Sequence, residues 1–275
     1  MERIILIETS TALCSVALAE DGQITAYRES SAPKAHASLT AVFIDEMLKE
    51  RGIAIADCDA VCVSMGPGSY TGLRVGVSTA KGLCFGSGKP LLAVGTLDTL
   101  VAQAHEIAGQ TGNDGCTSIA SPDHSTVIPD RDTVIPDHST VIPDLIGDPR
   151  FIIPMVDARR MEVYTAVFSS CHPECSEGSP SYTQITETAP AIIDETSFAE
   201  YLEQGPCLFI GDGAGKCADV IKHPNADFCQ CWPKASAMLE PAVAALRAGD
   251  FKDVAYFEPF YLKEFVATVS KKKLF

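Results

Sequence analysis

The sequence predicts an α/β fold, and three observations carry that assignment. A β-meander opens the chain, an abrupt change to helical periodicity follows it, and strand and helix then alternate. Residues 4–8, IILIE, are a short apolar strand, and CSVALAE (14–20) is a second. The polar turn Glu20-Asp21-Gly22-Gln23 leads into a third, ITAYRES. From 36 to 51, Leu39, Val42, Phe43, Glu46 and Met47 fall at helical spacing, and Gly52 supplies the left-handed stop. DAVCVSMGPG (59–68) reads as a buried strand entering a loop, 71–85 as a helix, and PLLAVGT (90–96) as one more strand.

The middle of the chain breaks this pattern. Thr-Val-Ile-Pro-Asp occurs at 126–130, 133–137 and 140–144, a seven-residue repeat. A proline in each unit forbids a coiled coil, and three strand-length units cannot build a solenoid core. Residues 109–150 are therefore expected to be an inserted low-complexity loop. Beyond it, FIIPMVDARRMEVYTAVF (151–168) predicts two strands around the charged turn Asp157-Ala158-Arg159-Arg160. CLFIGDGAG (207–215) is a strand ending in a glycine turn. Residues 234–249 regain helical spacing and stop at Gly249, and FEPFYLKEF (257–265) is an aromatic closing segment.

Bulk properties exclude several roles. The chain has 275 residues and a net charge of −15, with 46% apolar residues, enough for a full core. An acidic surface argues against independent nucleic-acid binding, which needs basic side chains on phosphates. The only basic run, Lys271 to Lys273, reads as a solvated tail. No run approaches the eighteen apolar residues of a membrane helix, and a cytoplasmic location is expected. Eleven cysteines, an odd number, then read as reduced core residues rather than a disulfide framework.

The stretch GPGSYTGLRVGVSTAKG (66–82) invites a phosphate-loop reading and fails it. Gly66 to Gly72 has the wrong spacing for GxxxxGK, GxGxxG is not met, and Pro90 follows Gly86-Ser87-Gly88-Lys89 where a hydroxyl is required. Its regularity is different: Gly68, Gly72, Gly76 and Ala80 recur every four residues, beside an apolar stripe of Leu73, Val77, Ala80 and Cys84. Glycine inside a helix costs about 0.5–1 kcal/mol relative to alanine, so close approach of another element is the expected return. The spacing alone leaves open whether that element belongs to the same chain.

Taken with this stretch, IETSTALCSVAL, HASL, VDARRMEVYTAVF and PFYLKEF make the chain resemble TsaB (YeaZ) proteins, which take part in making N6-threonylcarbamoyladenosine at position 37 of tRNA. The resemblance covers nearly all the chain except 110–150 and parts of 169–190. It implies the actin-like (ASKHA, ribonuclease H-like) fold: a first lobe over 1–108, a second over 151–232, and a C-terminal helical segment, 233–275, packing back on the first lobe. It also implies a non-catalytic scaffold for a catalytic partner, TsaD, joined by the ATPase TsaE. ATP and metal would then belong to the partner subunits, with no cofactor in this chain, and tRNA would be met only through the complex. The same surface could pair two copies of this chain when alone. The implied four-helix packing places Leu39, Phe43, Met47, Gly68, Gly72, Leu73, Arg74, Gly76, Val77 and Ala80 at the partner interface. TsaD-like relatives carry a paired-histidine metal motif one helical turn apart. None of the six histidines here (His36, His105, His124, His138, His172, His223) lies four residues from another.

Competing sites are weaker. Glu8, Thr9 and Ser10 occupy the first hairpin and Asp212 a glycine turn, where actin-like ATPases hold phosphate; a stand-alone ATPase or kinase-like enzyme is the alternative function. Tight turns with locally bonded side chains explain the same residues. Cys171, His172 and Cys175 with Cys229 and Cys231 match no common zinc spacing. Without a GxSxG elbow, peptidase chemistry has no support.

Overall fold

The computed structural model describes residues 1–110, 149–170 and 182–262. The repeat insertion, Cys171 to Cys175 and the Lys271–Lys273 run lie outside the described residues. The first sheet joins β1 (Arg3–Glu8), β2 (Cys14–Glu20), β3 (Gln23–Ser30), β4 (Ala60–Gly66) and β5 (Leu91–Gly95) in the order β3-β2-β1-β4-β5. β1, β2 and β3 pair antiparallel, and β4 and β5 continue parallel to β1. Parallel strands need crossovers, and α1 (Ala35–Arg51) and α2 (Tyr70–Ser87) supply them.

The second sheet repeats this plan. β6 (Phe151–Asp157), β7 (Glu162–Thr165), β8 (Phe168–Ser170), β9 (Tyr182–Gln184), β10 (Ala189–Ile192), β11 (Cys207–Gly211) and β12 (Ala226–Gln230) give the order β10-β7-β6-β11-β12, with β8 pairing β6 and β9 pairing β8. The predicted α/β class with two sheets flanked by helices is what the structure shows. β1 and β4 are buried almost throughout, so they read as apolar runs without alternation.

Both helix stops read from the sequence are present. Gly52 and Gly249 hold φ of 66° and 69°, closing α1 and α6 (Leu239–Ala248). α3 (Thr96–Gln110) goes beyond the elements the sequence assigned. It follows β5 with no intervening loop, and the Thr99 hydroxyl bonds back to the Gly95 carbonyl at 3.1 Å, so no breaker marks the change. Leu97, Leu100, Val101 and Ala104 of α3 pack against Ile152, Val156, Leu208 and Ile210 of the second sheet. One helix thus leaves the first sheet and completes the core of the second.

The segment after β12 returns to the first sheet. Residues 235–238 and α6 cover the face of β1, β2 and β5 opposite α1 and α2. The Ala235 N–H meets Ser15 Oγ at 2.9 Å, and Lys252 and Phe260 bond Leu91 and Met65 through their backbones. Lys81 on α2 ties this strand of chain down through the carbonyls of Ala255 and Phe257 at 2.9 and 3.1 Å.

Candidate functional site

Helix α2 begins where Ser69, in extended conformation, accepts the Gly72 N–H on its side chain at 3.3 Å. Its glycine ridge then meets the β1–β2 loop. The Ser69 N–H bonds the Ser10 carbonyl at 2.6 Å, and the Thr9 hydroxyl donates to the Gly72 carbonyl at 2.9 Å. A Cβ on Gly68 would collide with the Ser10 carbonyl, one on Gly72 with the Thr9 carbonyl, and one on Gly76 with the Thr9 hydroxyl. The close approach that the spacing predicted is real, and the chain supplies its own cover.

This corrects where the expected interface residues point. Phe43, Met47, Leu73, Val77 and Ala80 are buried in the chain's own core, with Leu39 half-buried at its edge. Gly72 and Gly76 are buried beneath Thr9, and Gly68 half-buried beside Ser10. Of the ten, Arg74 alone is exposed. Helical periodicity groups residues onto a face without saying what covers it.

The outward face carries a second small-residue row that sequence reasoning passed over. Ser78, Gly82 and Gly86 follow Arg74 at the same four-residue interval; all three are exposed, and nothing among the described residues stands within 4 Å of a Cβ on either glycine. The signal that found the inner ridge would have found this one. A shallow groove of about 470 Å³ runs between Ala37 of α1 and Tyr70, Arg74, Val75, Ser78 and Thr79 of α2. Arg74 lies over the Tyr70 ring at 5.5 Å, and Tyr261 packs against that ring at 4.9 Å. Val42 and Phe85, 44% and 86% exposed, add apolar surface to the same pair of helices.

The nucleotide-cleft candidates fall into two groups. Glu8, Thr9 and Ser10 are wholly buried. Glu8 Oε1 accepts the Ser10 N–H at 2.6 Å, while Glu8 Oε2 and the hydroxyls of Ser10 and Thr11 have no hydrogen-bond partner among the described residues. Burial pushes the Glu8 carboxyl up to about 7 against the pull of the Ser10 N–H. Asp212 belongs to the second lobe, where its Oδ1 accepts the Asp157 N–H at 2.9 Å, and burial pushes it up to about 6. Asp157 Oδ1 in turn accepts the Arg159 N–H at 2.8 Å and pairs with the Lys216 ammonium of α5 (Ala214–Ala218). Lys216 also donates to the carbonyls of Arg160 and Glu162 at 2.8 and 2.7 Å. This holds Arg159 and Arg160 at positive φ, 74° and 53°, a strained state for non-glycine residues that surrounding contacts must enforce.

The first hairpin of each lobe therefore has a turn N–H occupied by the chain's own carboxylate, Glu8 on Ser10 and Asp157 on Arg159. Among the described residues, no group of three His, Cys, Asp or Glu side chains is placed to hold a metal. No helix among them is long and apolar enough to cross a membrane.

The family model described as TsaD, tRNA N6-adenosine threonylcarbamoyltransferase, matches residues 29–128. The Escherichia coli tRNA threonylcarbamoyladenosine biosynthesis protein TsaB is 37% identical over 270 residues, covering 96% of both chains. The tRNA N6-adenosine threonylcarbamoyltransferase of Maricaulis maris is 42% identical over 67 residues, 24% of this chain and 18% of that one. YeaZ from Pseudomonas aeruginosa, a solved structure, superposes with a TM-score of 0.68 at 22% identity, covering 95% of this chain and all of the other, a likeness of fold.

Proposed function

The chain belongs to the TsaB family of tRNA threonylcarbamoyladenosine biosynthesis proteins, and from that membership we propose that it is the scaffold subunit of the modifying complex. It works in formation of threonylcarbamoyladenosine on tRNA. Its task is to dock the transferase TsaD through the outward face of α1 and α2 and keep that partner competent, while chemistry, ATP and metal reside in TsaD and TsaE. tRNA is met through the assembly, a reading that a net charge of −15 supports. Alone, the same face pairs with a second copy of the chain.

The observation that carries this reading is the outward face, left uncovered by the described residues: Ala37, Ala41, Val42, Ser78, Gly82 and Phe85 are small or apolar, and all are exposed. A small-residue row lets a foreign helix approach closely, and apolar surface of this kind marks interaction sites. The carboxylates lodged on Ser10 and Arg159 speak against the alternative, a stand-alone ATPase.

Gly82→Trp tests the assignment, since open space surrounds that position. The variant should fold with stability within about 1 kcal/mol of wild type, lose copurification with TsaD, and fail to support tRNA modification. Assembly at wild-type affinity would remove α2's outer face from the interface. ATP turnover by the purified chain alone would overturn the non-catalytic reading.

A further inference from the structure

Two hairpins of this chain turn through adjacent residues at positive φ, and they fill the turn with opposite chemistry. β2 passes to β3 through Asp21 and Gly22, at φ of 49° and 76°. Those residue types accept left-handed geometry at least cost. β6 passes to β7 through Arg159 and Arg160, at 74° and 53°. Arginine lacks the short polar group with which Asp or Asn bonds such a turn from within. The β6–β7 turn is held from below instead. Asp157 Oδ1 accepts the Arg159 N–H at 2.8 Å, the Glu162 N–H meets the Arg159 carbonyl at 3.2 Å, and Lys216 donates to the Arg160 carbonyl at 2.8 Å.

Both arginines are exposed, and among the described residues neither guanidinium has a hydrogen-bond or ion-pair partner. The carboxylate closest in sequence, Asp157, is taken by the Lys216 ammonium. Two neighbouring positive charges thus stand at the tip of a hairpin, on a chain whose net charge is −15. Strain that glycine would relieve, kept under two unspent charges, points to a task for the side chains themselves.

We propose that Arg159 and Arg160 contact the phosphate backbone of tRNA once this chain stands in the modifying assembly, a proposal that rests on the scaffold role above. A guanidinium presents its N–H donors in a planar fork that matches phosphate oxygens in pairs. An acidic chain repels RNA as a whole, so two such contacts do not bind it unaided; they add to binding that the partner subunits supply. Contacts of this kind position an RNA without reading its sequence, which suits a subunit that leaves the chemistry to others. The turn's internal bonds fix the backbone beneath both side chains, so less freedom is lost when they engage. A polyanion is favoured over an acidic protein segment because the family's product is a nucleoside of tRNA.

The test is a filter-binding titration of tRNA against the assembly of this chain with TsaD and TsaE, run from about 50 to about 200 mM salt. The double variant Arg159→Gly, Arg160→Gly should match or exceed the wild-type urea midpoint and copurify with TsaD as the wild type does. Its affinity for tRNA at the lowest salt should fall by about tenfold or more, and the slope of log K against log salt should flatten by about 1.4–1.8, the share of two phosphates. Arg159→Lys with Arg160→Lys keeps both charges and should keep most of the slope. Unchanged affinity and slope in the assembled glycine variant overturns the tRNA contact alone. Lost copurification with TsaD or TsaE at intact stability overturns it in favour of an acidic protein partner. A lower urea midpoint overturns the reading of the turn as strained, and a lysine pair that loses the slope overturns the phosphate assignment. A wild-type chain that never enters the assembly overturns the scaffold role, and this proposal falls with it.

Discussion

The Thr9 hydroxyl donates to the Gly72 carbonyl at 2.9 Å, fastening the first hairpin loop to the first turn of α2. That bond needs the helix backbone itself at hydrogen-bond distance, which glycine permits at 68, 72 and 76. The inner face of α2 is a structural joint, and its outer face is left for other purposes.

The two faces should answer mutation in opposite ways. Gly76→Leu drives a side chain into Thr9 inside a packed core, and a loss of about 1–3 kcal/mol or more is expected. Gly82→Ala, in open space on the same helix, should gain up to about 1 kcal/mol from helix propensity. Urea denaturation of both variants decides the matter. Equal tolerance at the two positions would contradict the joint.

Glu8 predicts a pH dependence with a definite sign. Its carboxyl ionises at about 7 when folded, against 4.5 ordinarily, so the native state holds the proton more tightly than the unfolded one. The stability this supplies is fully present below about pH 4.5 and is lost as pH rises towards 7, on the order of 3 kcal/mol in all. Asp212, raised in the same sense to about 6, adds to the slope at its lower end. Glu8→Gln should flatten the profile between pH 5 and 7 and raise the melting temperature at pH 8. A Gln variant that keeps the wild-type slope would show that Glu8 is not its source.

Lys216 is the tie beneath the arginine turn. Lys216→Met leaves the Asp157 carboxylate and the carbonyls of Arg160 and Glu162 without their donor, at a cost of about 1–3 kcal/mol. Hydrogen exchange should quicken across 157–163 and leave α2 unchanged. Protection of that hairpin at the wild-type level would mean that Asp157 alone fixes Arg159 and Arg160.

The legible parts of this fold are those with local causes. The β1–β2–β3 meander, the glycine stops at 52 and 249 and the β6–β7 turn each follow from turn chemistry within a few residues. α3 was not legible because β5 passes into it without a breaker, and its apolar residues are satisfied by a sheet more than forty residues further on. The candidate site divides the same way. The four-residue interval of Gly68, Gly72 and Gly76 announced a close approach, and the same interval at Ser78, Gly82 and Gly86 went unread beside it.

By itself the sequence determined that α2 has faces built of small residues, that no phosphate loop or paired-histidine site is spelled out, and which family the motifs resemble. Only the tertiary structure decided which face is covered. A helical period records a direction around an axis, whereas cover depends on a loop sixty residues away arriving with the right carbonyl. For that reason the Thr9–Gly72 joint closed one face, and the other stayed open along Ala37, Ser78 and Gly82.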